Sequence, residues 1–117
     1  ELFNGCPLFD LSKFKGKAIE KDRYHMALMY DALGKMPKDI AMHCEYSEEI
    51  FDNKGRIIKN KGIQERNLKS ELCERINLDQ QENDIIYNLL IRILDYDHKK
   101  RPTCKEILES EWYSKCD

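Results

Sequence analysis

DIIYNLLIRILDYDHKKRPTCKEILESEW, residues 84–112, is the stretch that decides the fold. Ile85, Ile86, Leu89, Leu90, Ile93 and Leu94 recur at the spacing of a helix with a broad buried face, while Asn88, Arg92 and Asp95 fall on the other side. Pro102 cannot donate a backbone hydrogen bond and pushes Arg101 out of helical geometry, so a break follows. Thr103 and Glu106 then read as a capping box, each satisfying a free amide of a new first turn ahead of Ile107 and Leu108. Two packed helices of an all-α fold are the plain reading, a central helix over 79–96 capped by Asp79 with Glu82, and a last helix over 103–113.

Working outward, the other elements are shorter. Met26, Met29, Tyr30 and Leu33 give one apolar face to a helix over 22–34 that stops at Gly34. Glu1-Leu2-Phe3-Asn4-Gly5 reads as a helix end closed by a left-handed glycine, followed by the apolar Pro7-Leu8-Phe9, so residues 1–9 form one piece. Residues 38–78 read as a polar, irregular insert with a tight turn at Asp52-Asn53-Lys54-Gly55. Within it, Asn67 caps a short helix in which Leu68, Leu72 and Ile76 lie in line.

At 117 residues, 41% hydrophobic and 36% charged, the composition is that of one soluble globular domain at most. No apolar run approaches the length of a membrane helix, so no membrane partner is expected. Glu1 is not preceded by methionine and no charged-then-apolar leader follows, so a piece of a longer protein without a secretion signal is expected. The 5 cysteines are odd in number and widely spaced, which argues against a disulfide framework or zinc site and for reduced intracellular thiols. Six basic residues against one acid occur between positions 54 and 69. Without interleaved aromatics to stack bases they read as a solvated face, and nucleic acid is not an expected partner.

The wording of several stretches goes further than their periodicity. Leu94-Asp95-Tyr96-Asp97, then Lys100-Arg101-Pro102-Thr103, Glu106-Ile107-Leu108 and Glu111-Trp112, resembles the last subdomain of eukaryotic serine/threonine protein kinases. Residues 1–9 are similar to the end of that family's mid-lobe helix. Tyr24-His25-Met26-Ala27-Leu28 through Gly34-Lys35-Met36-Pro37 resembles a helix of the SR-protein kinases, and Tyr46 to Gly55 resembles the start of their insert. The resemblance spans nearly the whole chain.

It implies a helical C-terminal subdomain of a kinase large lobe. The parent would transfer the γ-phosphate of ATP, with magnesium, to serines of arginine-serine-rich splicing proteins in the cytoplasm or nucleus. The chain lacks the Gly-rich loop, strand lysine, His-Arg-Asp and Asp-Phe-Gly wording that this chemistry needs. No catalytic, cofactor or metal residue is therefore assigned, and the 117 residues alone are expected to be inactive. The resemblance gives Arg101 and Trp112 structural roles. Arg101 would pair with a glutamate upstream of Glu1, making the remainder of the kinase domain a partner. It also implies a docking groove for arginine-rich substrate. Asp31 stands where the family has a groove glutamate and Arg75 where it has a lysine, but Tyr24 and Cys6 replace aspartates. Asp22 is a partial substitute for the lost carboxylate, and Tyr24 a surface on which arginine can stack. The alternative is a non-catalytic helical interaction module.

Overall fold

The computed structural model describes residues 5, 7–12, 14–58 and 67–115. Among them the regular structure is helical, with one isolated antiparallel bridge between Phe51 and Ile57. The chain divides into two compact units, Gly5–Arg66 and Asn67–Asp117.

In the first unit the long helix α1 covers Ala18–Leu33. It begins four residues before the expected start at 22. Gly16 and Lys17 read as loop, but the Glu20 carboxylate accepts from the Lys17 backbone N–H at 3.1 Å and closes the first turn. Gly34 ends it at φ 84°, its N–H donating to the Tyr30 carbonyl. The expected apolar face is only half-buried at Met26, Met29, Tyr30 and Leu33, and Ala27 is the buried residue.

The insert is more ordered than its polar sequence suggests. Pro37 opens α2, Lys38–Met42, and Tyr46 precedes α3, Ser47–Ile50. Such one-turn helices are too short to stand alone and depend on packing. Met36, Ala41, Ile50 and Phe51 supply it, all of them buried. The turn forms at the expected residues: Asp52 Oδ1 accepts from the Lys54 and Arg56 N–H groups, Oδ2 takes Arg56 Nε at 2.7 Å, and Gly55 adopts φ 71°. These bonds hold the Asp52 carboxyl below its ordinary pKa, the Arg56 backbone N–H being the largest cause.

In the second unit α4, Leu68–Ile76, packs on α5, Gln80–Ile93. Asn67 and Asp79 cap them, accepting from Ser70 N–H at 3.0 Å and Glu82 N–H at 2.8 Å. Leu68, Leu72, Ile86 and Leu89 form the core between them. Asn83 shares it at 2% exposure, with Nδ2 donating to the Lys69 carbonyl at 3.2 Å.

The last helix is two. The Thr103–Glu106 capping box opens α6, Cys104–Leu108, and α7 follows as Glu111–Ser114. The Ser110 N–H donates to the Ile107 carbonyl at the break. Among the described residues the elements make the all-α fold expected from the sequence.

Candidate docking face

On α1, Tyr24 and Asp31 are seven residues apart, two helical turns, and so share one face; Asp22 sits about half a turn away and is exposed. Asp22 thus lies off the face that Tyr24 and Asp31 share. Tyr24 is half-buried, with Phe14 stacked on its ring at a centroid distance of 5.3 Å and 22° between planes. Asp31 is half-buried too, and its Oδ2 is wholly shielded from solvent. A carboxylate placed in such a low-dielectric position interacts with a cation more strongly than one on an open surface.

The insert lies against this helix. Arg23, one residue before Tyr24, donates from Nε at 3.1 Å and from Nη2 at 2.7 Å to the Glu49 carbonyl in α3. Nothing in the sequence pointed to Arg23, because its partner is a main-chain carbonyl 26 positions on. Glu48 and Glu49 are exposed on α3.

Arg75 is an exposed residue in the last turn of α4 and belongs to the second unit, whereas Asp22, Tyr24 and Asp31 belong to the first. Cys6 lies outside the described residues, as does the helix end over residues 1–4.

Arg101 is exposed, and its Nε donates to the Asp95 carbonyl at 2.8 Å, just beyond the end of α5. There a guanidinium satisfies a carbonyl that the finished helix leaves over and complements its dipole. The glutamate that the resemblance pairs with Arg101 would lie upstream of Glu1 and is not among the described residues. Trp112 is half-buried and lines a groove of about 600 Å³ with Ile85, Leu89 and Arg92 of α5.

Of the basic run at 54–69, residues 59–66 are outside the described residues. Arg56 is paired with Asp52, and Lys69 reaches Asp84 at 2.7 Å and lies over the Tyr87 ring. That ion pair holds the Asp84 carboxyl below its ordinary pKa. Among the described residues no three His, Cys, Asp or Glu side chains are grouped to hold a metal, and no helix is long and apolar enough to cross a membrane.

No family model matches the chain. Curated relatives do. It is 32% identical over 97 residues to the serine/threonine-protein kinase SRPK of Physarum polycephalum, covering 81% of this chain and 22% of that protein. It is 34% identical over 113 residues to the probable serine/threonine-protein kinase sky1 of Dictyostelium discoideum, covering 96% and 17%. With SRSF protein kinase 3 of Mus musculus the figures are 24% over 112 residues, covering 96% and 20%. The chain thus spans about a fifth of the length of these relatives. Likeness along almost all of its length, with the all-α architecture and the Arg101-Pro102 ending, places the chain in the SR-protein kinase family, as a fragment from the C-terminal part of the large lobe.

Proposed function

We propose that this segment is the substrate-docking part of a serine/threonine kinase that phosphorylates serines in arginine-serine-rich splicing proteins, in the cytoplasm or nucleus. The observation that carries the proposal is the shared face of Tyr24 and Asp31 on α1. A guanidinium presents paired donors in a fixed fork. The Asp31 carboxylate can accept from it, and the Tyr24 ring, two turns away on the same face, offers a surface for stacking. The relatives' kinase names, and the coverage of most of this chain by them, support the parent activity.

ATP and magnesium belong to the parent's chemistry. No chemical step is assigned to this chain. What these residues do is bind and orient substrate. With one family aspartate replaced by Tyr24, docking rests on fewer charges, and it is expected to be weaker and more salt-sensitive than the family pattern implies. The test is binding of an Arg-Ser peptide to the intact protein and to its Asp31→Ala variant at low salt. A loss of affinity of about fivefold or more is expected, the value of one partly desolvated ion pair. Equal affinities would make Asp31 an ordinary surface charge and end the groove assignment.

A further inference from the structure

α3 has four residues, too few to be helical on their own strength, so its last carbonyls need partners from outside. The Ser47 carbonyl accepts from Phe51 N–H at 2.8 Å and the Ile50 carbonyl from Ile58 N–H at 2.9 Å. The Glu49 carbonyl takes two donors of the Arg23 guanidinium. Arg23 is thus the side chain that ties this end of α3 to α1, and Ala27, one turn further along the same side of α1, is buried.

The placement looks unfavourable for a surface that receives arginines, since Arg23 adds a cation next to Tyr24. The geometry lessens the conflict. The guanidinium is directed at the C-terminal end of α3, and two of its donors, from Nε and Nη2, are engaged there.

We propose that Arg23 is a positioning residue for substrate docking: it clamps the insert to α1, so that α3 and its exposed Glu48 and Glu49 are held on the flank of the Tyr24–Asp31 face. This rests on the docking reading above. Its consequence runs against simple electrostatics. Removing a cation from a cation-binding face should tighten binding, whereas releasing the insert should weaken it.

The experiment uses the intact kinase and two substrates, an Arg-Ser protein with an arginine-rich docking stretch and a short Arg-Ser peptide without one. Arg23→Met keeps the apolar stem and loses the donors; Arg23→Lys keeps the charge and one point donor. For Arg23→Met we expect KM for the long substrate to rise about tenfold, the lower end of the worth of one charge-assisted bond, with kcat and the short peptide's KM unchanged. Amide exchange over residues 46–51 should quicken. Arg23→Lys should recover part of both effects, and it carries the test alone should Arg23→Met not fold.

An unchanged or lower KM, or equal damage to both substrates, overturns the proposal. Asp31→Ala measured alongside separates the two readings. If Asp31→Ala raises KM and Arg23→Met does not, only the role of Arg23 falls. If Asp31→Ala has no effect, docking on this face fails, and unchanged exchange over residues 46–51 would then overturn the clamp as well.

Discussion

Replacing Asn83 with leucine should leave the second unit as stable as before or stabilise it, although it deletes a buried hydrogen bond. Asn83 is 2% exposed, and its Nδ2 reaches the Lys69 carbonyl at 3.2 Å, while Oδ1 is buried without a hydrogen-bond partner among the described residues. The lost bond is worth about 0.5–1.5 kcal/mol net, and a buried unsatisfied acceptor costs about 1–3 kcal/mol. Lys69 is in the first turn of α4 and its carbonyl keeps its place in the helical ladder, so the substitution strands no partner. Leucine shares the branching of asparagine, and its larger methyl groups must be accommodated beside Leu72 and Ile86 of the same core. The polar terms favour leucine by about 1 kcal/mol, which offsets that packing cost. Asparagine to aspartate goes the other way, because it removes the donor and buries a charge. The assay is equilibrium urea unfolding followed by fluorescence of Trp112, the single tryptophan, which lies in the same unit. A midpoint unchanged or raised at constant slope is expected for Asn83→Leu. A loss above about 1 kcal/mol at constant slope would refute the reasoning, since it would mean that Oδ1 is satisfied.

Three further outcomes are expected. Thr103→Ala should cost about 1 kcal/mol by opening the capping box, measured as a fall in melting temperature. The same box gives a pH dependence. The Thr103 backbone N–H, then its hydroxyl, hold the Glu106 carboxyl below its ordinary pKa. On acidification the unfolded chain takes up the proton first, so the contribution is complete at neutral pH and disappears as pH falls from the ordinary glutamate value through the lowered folded one. A melt no more acid-sensitive than that of Glu106→Gln would contradict it. Gly55→Ala should cost more than Gly34→Ala in thermal melts. Both have positive φ, but a Cβ at Gly55 would stand 3.2 Å from Lys38 Cγ, and at Gly34 it meets nothing within 4 Å. The 117 residues alone should bind no Mg-ATP and transfer no phosphate, and reproducible incorporation of labelled phosphate by them would defeat that expectation.

What was legible in the sequence is what local chemistry decides. Asn67, Asp79 and Thr103 cap the helices they were expected to cap, and Gly34 and Gly55 take up the left-handed geometry that their turns need. Those signals act over one turn and survive any context. The start of α1 was misplaced because Lys17 has no acceptor to advertise a cap, and the closing carboxylate belongs to Glu20. α2 and α3 fall below the window in which a helical period can be seen. Residues 103–113 kept a helical pattern across a break that only the backbone at Ser110 reveals. Asn83 reads as polar and is among the most buried residues. Of the candidate site, the pairing of Tyr24 with Asp31 follows from helical register alone. The Arg23 clamp depends on a carbonyl in a helix the sequence did not announce.

The central claim is that the parent is an Arg-Ser-directed kinase that uses this segment to hold its substrate. Steady-state phosphorylation by the intact protein, with Mg-ATP and two substrates that share one Arg-Ser target and differ only in an attached arginine-rich stretch, tests it most directly. Phosphoserine is expected in both, with a lower KM for the substrate with the stretch, and loss of that difference in Asp31→Ala with kcat retained. No transfer to the Arg-Ser serines, or a KM indifferent to both the stretch and Asp31, would contradict it.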